Sequence, residues 1–412
     1  MSQMTFAKAG NRKIPNSTAP FSPPQRNHTS QYFSFLFPLY CLLAFFLCGF
    51  GPPTIVDRDV APRQRYTVGQ LRRIQIAQRP PADISAVSVL VYDVESGREL
   101  MDKAAHLPVS PASLAKLMTA LLVLERDQLS ERVTVRQSDL IGEATMGLNA
   151  GEELSVEELL WGLLIPSGND AAMALARHHS GQVEVFVKEM NVRAGDLGMH
   201  DTLFQNPNGF DADGQVSSAR DLLTLVKVLW AYPLFREIVG TPSAEVANRE
   251  LQSTNRLLGS FPGANGVKTG TTHQSGQSLI AGVEENGHQL FALVLGSVDR
   301  YHDMRLVMQA VQGNYSWVPL RMPGRPTALD RLFDAQGDRW YLRADGINVR
   351  PAAIEAGPFF EALLAGWERR ELQVFRRLDP PASGMWAAGM PAGVLEWRLG
   401  DTLLATQRLF FQ

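Results

Sequence analysis

Ser110-Pro111-Ala112-Ser113-Leu114-Ala115-Lys116-Leu117-Met118-Thr119-Ala120 is the stretch on which the reading of this chain turns. Ser110 predicts an N-cap, and Pro111 falls at the first helical position, where a missing N–H costs nothing. Leu114, Leu117, Met118, Leu121, Leu122 and Leu124 make the following helix apolar nearly all round, so it belongs in a core. The Ser113 hydroxyl and the Lys116 ammonium are three residues apart and share a face. The helix dipole and burial both disfavour a charged ammonium there, which pushes Lys116 toward the neutral amine. A neutral amine beside a hydroxyl is a general base beside a nucleophile. The plainer reading is a capping serine and a surface lysine. S-x-x-K arises by chance on the order of once or twice in a chain this long, so the rest of the sequence has to decide.

The chain has 412 residues, of which 45% are hydrophobic, ample for two domains with cores. A net charge of −3 gives no pointer to nucleic acid. Its two cysteines, Cys41 and Cys48, lie in the uncharged apolar run 32–50, which leaves no disulfide framework or cysteine metal site for the folded part. Lys8, Arg12, Lys13 and Arg26 precede or flank that run, with no acidic residue in the first 56. A basic flank before a membrane-length apolar segment predicts a cytoplasmic 1–31, an anchor or signal segment at 32–50, and the remainder outside the cytoplasm. Pro52 after the small-x-small Gly49-Phe50-Gly51 disfavours cleavage, so an uncleaved anchor is expected.

Residues 51–83 read as a polar, proline-spotted linker with a short helix near 68–77. Val87, Val89 and Val91 alternate through a strand at 86–94, and 98–102 returns as its hairpin partner after Glu95-Ser96-Gly97. The Ser113 helix follows. Ser155-Val156-Glu157-Glu158 is a capping box that opens a helix to 165. Pro166-Ser167-Gly168-Asn169-Asp170 breaks it, and helices at 171–179, 183–197 and 219–230 come next, with a turn at Asn206-Pro207-Asn208-Gly209. Three strands are predicted at 266–272, 278–284 and 289–298, the last two joined by the hairpin signal Asn286-Gly287. A helix near 304–311 closes this part. Strands at both ends of a helical stretch predict an α+β domain whose single antiparallel sheet is built from both ends, with a helical insertion. A linker at 319–326 leads to a small β-rich domain, 327–412, with strands at 340–343, 346–350, 372–378, 394–399 and 403–411.

Two further words follow S-x-x-K in order. Ser167-Gly168-Asn169 lies in an apolar break between helices, where short polar side chains can face a cleft. S-x-N is uninformative alone, since Ser253-Thr254-Asn255 repeats it. Lys268-Thr269-Gly270 lies inside a predicted strand, and K-T-G occurs by chance in roughly one chain in ten of this length. A lysine, a hydroxyl and a glycine on one strand would present a cation, a donor and open backbone to a ligand lying along it.

Ser113-x-x-Lys116, Ser167-Gly168-Asn169 and Lys268-Thr269-Gly270 together resemble the three signatures of penicillin-recognising serine D,D-peptidases. The surrounding words, including Asn206-Pro207-Asn208-Gly209-Phe210, Ser218-Ala219-Arg220-Asp221-Leu222 and Gly266-Val267-Lys268-Thr269-Gly270, resemble the D-alanyl-D-alanine carboxypeptidase family in particular. The likeness covers about 86–315. It implies a DD-peptidase/β-lactamase-like domain at 84–318, with helices on both faces of the sheet and a helical subdomain. It also implies Ser113 as the acylated nucleophile, Lys116 as its base, Ser167 as proton relay to the leaving amine, and Asn169 as holder of Lys116 and the substrate amide. Lys268, Thr269 and Gly270 would bind the substrate's terminal region. The backbone N–H groups of Ser113 and Thr271 would hold the oxyanion. Arg256 resembles a family position near the cleft. For the arginine that the family often places near the substrate carboxylate, Arg300, His302 and Arg305 remain open.

The resemblance implies a peptidoglycan stem peptide as substrate, β-lactams as covalent inhibitors, and no metal or cofactor. The same residues could serve a D,D-endopeptidase or a β-lactamase, although no E-x-x-L-N word lies between Asn169 and Lys268. A non-catalytic penicillin-sensing or wall-binding protein could keep the cleft without the chemistry. G-x-S-x-G and H-E-x-x-H are absent. His178-His179 at a helix end reads as solvated, and Asp211-x-Asp213-Gly214 as a turn.

Overall fold

The computed structural model describes residues 67–320, 331–333, 349–351, 361–378 and 389–411. The segment 32–50 and the strand expected at 340–343 lie outside them. Helix α1 (Val68–Ala77) opens with a capping box at Thr67, and the hairpin β1 (Ser88–Asp93)–β2 (Glu99–Lys103) follows. Helix α2 (Lys116–Arg126), a short hairpin β3 (Arg132–Thr134)–β4 (Glu153–Ser155), and helices α3 (Val156–Leu164), α4 (Asn169–Ser180), α5 (Val183–Asp196), α6 (Ala219–Leu229) and α7 (Pro233–Gly240) make the helical part. A surface hairpin β5 (Ser243–Val246)–β6 (Arg249–Gln252) leads into β7 (Ala264–Thr272), β8 (Gly276–Glu285), β9 (His288–Ser297) and helix α8 (Arg300–Asn314).

The main sheet runs β2-β1-β9-β8-β7, antiparallel throughout, with β1 from the start of the domain hydrogen-bonded to β9 from its end. The expected sheet built from both ends is therefore the observed one. The alternation at Val87, Val89 and Val91 reads as a strand, and β1 forms there, with side chains of the sheet buried on both faces. Leu90, Phe291, Leu293 and Leu295 pack on the helical core, while Val89, Val91, Ala292 and Val294 pack on a second core with α8 residues Met304, Val307 and Met308. Both faces are dry, so polar residues have no place along the middle of these strands. Truncating a core leucine such as Leu117 on α2 to alanine should cost about 2–5 kcal/mol.

The capping box at Ser155 forms as expected, Ser155 Oγ accepting from Glu158 N and Glu158 from Ser155 N. The cap expected of Ser110 does not form. Its hydroxyl donates to Asp211 Oδ1 at 3.2 Å, and the helix is preceded by a 3₁₀ turn, Ala112–Ala115, with no side-chain cap. Helix α8 begins four residues earlier than the hydrophobic pattern suggests, because Asp299 Oδ1 accepts from Tyr301 N and His302 N. His179 is corrected as well: its side chain is buried, with Nδ1 2.9 Å from Asp127 and Nε2 3.2 Å from Glu189.

Beyond α8 the chain forms β10 (Tyr315–Pro319), which pairs antiparallel with β13 (Glu361–Ala365). Strands β11 (Arg331–Phe333), β12 (Val349–Pro351), β14 (Leu372–Leu378), β15 (Pro391–Leu399) and β16 (Thr402–Phe411) form a separate sheet, in the order β11-β14-β15-β16-β12. Arg98 reaches from the β1–β2 hairpin to the buried Glu368 carboxylate at 2.9 and 3.1 Å, just after β13. Among the described residues no helix is long and apolar enough to cross a membrane.

Candidate active site

The turn that carries Ser113 is shaped by its neighbours. Ala112 adopts φ +49, a conformation rarely taken outside glycine. Gly209, from the 206–209 turn, lies so close beneath it that a Cβ there would sit 1.9 Å from the Ala112 carbonyl oxygen. On the other side, a Cβ on Gly270 of β7 would meet Ala112 and Pro111 at 3.1 Å. Gly209 of the 206–209 turn and Gly270 of the third expected word thus let two backbones close on the turn that carries Ser113.

Lys116, on the first turn of α2, has no solvent exposure. Its Nζ lies 3.0 Å from Ser113 Oγ, 2.7 Å from Asn169 Oδ1 and 2.6 Å from the Asn208 carbonyl. Asn169 Nδ2 donates to Gly142 O at 2.9 Å, which fixes which amide atom faces the lysine. Burial first, and Lys268 second, hold the Lys116 amine well below the ordinary lysine range; Asp170 and Glu143 pull the other way. Asp170 does not cap α4. It accepts from Met146 N, Gly147 N and Leu148 N and so holds the loop that forms one wall of the site.

Ser167 sits at φ +65 in the break between α3 and α4. Its Oγ accepts from Lys268 Nζ at 2.8 Å, and Lys268 also reaches the Thr269 carbonyl at 3.1 Å. Burial, then the charge of Arg300, brings the Lys268 amine down to about 7. A cleft of about 510 Å³ opens over these groups, lined by Ser113, Ser167, Thr269, Gly270 and Thr271 among the expected residues, and by Arg256. Thr254, Gln277, Asp299, Arg300 and Tyr301 complete much of the lining.

The structure thus brings Ser113, Lys116, Ser167, Asn169, Arg256, Lys268, Thr269, Gly270 and Thr271 together in or directly beneath one cleft. It also chooses among the open cations. Arg300 is in the cleft wall, whereas His302 and Arg305, on the same helix, are exposed outside the lining. Sequence reasoning missed Thr254, whose hydroxyl is 2.6 Å from that of Thr269, and Tyr301, whose hydroxyl donates to the Thr254 carbonyl at 2.9 Å. The resemblance of Thr254-Asn255-Arg256-Leu257-Leu258 to a family segment near the cleft was the available signal; it carried Arg256 but gave Thr254 no role, and both line the cleft. No sequence signal pointed to the Asn208 carbonyl, because any residue type supplies one.

The fold and site define a class, the penicillin-recognising serine peptidases, which carry these three words in this order. A sequence profile of the D-alanyl-D-alanine carboxypeptidase family matches residues 74–299, more than half of the chain. The chain belongs to that family. It is 35% identical over 223 residues to the D-alanyl-D-alanine carboxypeptidase DacF of Bacillus subtilis, covering 52% of this chain and 57% of that protein. To DacD of Escherichia coli, also a D-alanyl-D-alanine carboxypeptidase, it is 32% identical over 296 residues, covering 67% and 74% respectively. Among solved structures, penicillin binding protein 6B from Escherichia coli superposes with a TM-score of 0.59 at 26% identity, over 80% of this chain and 96% of that one. The chain spans a little over half the length of some of these curated relatives.

Proposed function

We propose that this chain is a serine D,D-carboxypeptidase that removes the terminal D-Ala from peptidoglycan stem peptides through an acyl-enzyme on Ser113, without metal or cofactor. The observation that carries the reading is the set of partners around Lys116 Nζ. Two of the three, Asn169 Oδ1 and Asn208 O, can only accept hydrogen bonds, and the third is a hydroxyl. A neutral amine has two hydrogens and one lone pair. Burial holds the Lys116 pKa well below the ordinary lysine range, which favours the neutral amine over an ammonium that would donate to all three partners. In the neutral form the two hydrogens go to the carbonyl oxygens and the lone pair is left for the Ser113 O–H, so that Lys116 can take the nucleophile's proton.

In this mechanism the Ser113 proton moves to Lys116 as Oγ attacks the carbonyl carbon of the D-Ala–D-Ala bond. The backbone N–H groups of Ser113 and Thr271 hold the oxyanion. Collapse breaks the C–N bond, and the leaving amine takes, through Ser167, the proton that Lys116 received from Ser113; Lys268 holds Ser167 in place. Water then attacks the ester carbonyl as it gives a proton to Lys116, and Lys116 passes that proton to Ser113 Oγ when the shortened peptide leaves as a carboxylic acid. Arg300 and Arg256, at the end of β7, face the place where the terminal carboxylate would lie, and β-lactams would acylate the same serine. The folded part would act outside the cytoplasm, anchored by residues 32–50 or secreted. The test is intact-mass detection of a penicilloyl adduct and the residue that bears it. An adduct on Ser113 that is absent from Ser113→Ala is expected; an adduct that survives that change would sink the assignment.

A further inference from the structure

We propose that Gln277 is a positioning residue that aims Arg300 at the substrate's terminal carboxylate and leaves that carboxylate a single guanidinium N–H. The inference rests on the carboxypeptidase reading above and adds a specificity element to it. A guanidinium has five N–H donors. In Arg300, Nε donates to Gln277 Oε1 at 3.1 Å, Nη1 donates to Gly270 O at 2.9 Å and Ser278 O at 2.8 Å, and Nη2 donates to Thr271 Oγ1. Four donors are engaged, and one on Nη2 remains.

All four acceptors are neutral. Among the described residues no carboxylate pairs with this guanidinium, although only 8% of the residue is exposed. The Asp299 carboxylate, next in the chain and also in the cleft wall, favours the charge only through space and makes no ion pair with it. A cation held this deep with no hydrogen-bonded counter-ion still favours an anion that can bond to it. Three Nη contacts hold one side of the planar guanidinium, and at its Nε edge the hydrogen-bond partner is Gln277, so Gln277 completes the grip that sets its direction. Gln277 is itself fixed at both ends: its Oε1 also accepts from Arg300 N at 3.4 Å, and its Nε2 donates to Val298 O at 2.8 Å. It therefore ties β8 to the start of α8 and forms part of the cleft wall. A carboxylate in its place would sit against Arg300 and occupy the charge meant for substrate.

The test compares kcat and KM on a pentapeptide ending D-Ala-D-Ala as free acid and as C-terminal amide, for wild type, Gln277→Glu, Gln277→Leu and Arg300→Ala. Wild type should prefer the acid by roughly tenfold to a hundredfold in kcat/KM. Gln277→Glu should cut that preference to about twofold by raising KM for the acid, with the amide changed by less than about threefold. Gln277→Leu should lose about tenfold on the acid, again through KM. A merely structural role would instead lower kcat on both substrates alike, and that outcome overturns the proposal. So does an undiminished acid preference in both Gln277 variants while Arg300→Ala loses it, which leaves Arg300 as carboxylate holder and removes Gln277 from the account. If Arg300→Ala keeps the preference, the carboxylate reading of Arg300 fails and this inference fails with it.

Discussion

The floor of the cleft and its rim both bury cations, and they do so to opposite ends. On the floor, Lys116 and Lys268 are amines, and an amine can escape the cost of burial by losing its proton. Burial therefore holds Lys116 well below its ordinary range and Lys268 near 7, and basicity becomes available for chemistry. At the rim, Arg300 meets the same burial, which lowers its proton affinity too, but a guanidinium does not deprotonate in a protein. Its cost persists as a demand for an anion. Arg256 and Arg300 lie 5.9 and 6.0 Å from the Tyr301 ring centroid, a neutral surface that eases the demand without meeting it. One physical cause thus favours a neutral amine in one place and a persistent cation in another, and the side-chain type decides which; the proposed base and the proposed carboxylate site follow from that difference.

The harshest way to break the comparison is to put a rim cation on the floor. Lys116→Arg cannot accept the Ser113 proton and should lose at least about a thousandfold in acylation rate, read as penicilloyl adduct formed per unit time. Near-normal acylation would remove Lys116 as base.

Stability against pH probes the floor without chemistry. The folded Lys268 pKa of about 7 lies below the unfolded value of about 10.4. Between the two, the unfolded chain holds the extra proton, so stability should rise with pH across that window and lie flat, for this group, below 7. Wild type should gain stability relative to Lys268→Met on the order of 4 kcal/mol between pH 7 and pH 10, measured by urea unfolding. Parallel curves for the two proteins would show that Lys268 keeps its charge when buried.

The converse swap puts a floor cation at the rim. Arg300→Lys should prefer the acid peptide at low pH and lose that preference, by about tenfold, as the buried amine deprotonates at higher pH. A preference independent of pH would show that burial at the rim differs in kind from burial on the floor.

The smallest effect concerns the loop over Lys116. Glu143 raises the proton affinity of Lys116, so Glu143→Gln should move the acid limb of the kcat/KM profile to lower pH, by less than about one unit. A limb that moves upward would contradict the sign.

Much of the helical part was legible because its signals are local. The Ser155–Glu158 box, the apolar residues of α2 and, in the sheet, the Asn286-Gly287 turn each act through a few neighbouring residues. Helix α7 and the β5–β6 hairpin escaped notice: each is short and takes its place largely through packing on elements distant in sequence. The Ser110 cap failed for a related reason. The chain at Ala112 answers to Gly209 and Gly270 packed against it, not to local helix preference.

By itself the sequence determined which groups could do the chemistry: a serine three residues before a lysine on an apolar helix, and two further polar words in order. It also determined the antiparallel sheet, since strand periodicity and hairpin turns are written in adjacent residues. Only the tertiary structure decided the rest: that both lysines are dry, with Lys268 near enough to lower the Lys116 pKa and Arg300 near enough to lower that of Lys268, that Arg300 rather than His302 or Arg305 enters the cleft, and that a backbone carbonyl at Asn208 accepts from Lys116. The physical reason is that burial, electrostatic coupling and the aim of a backbone dipole depend on distances through space between residues about 30 to 190 positions apart in the chain, and no local pattern encodes those distances.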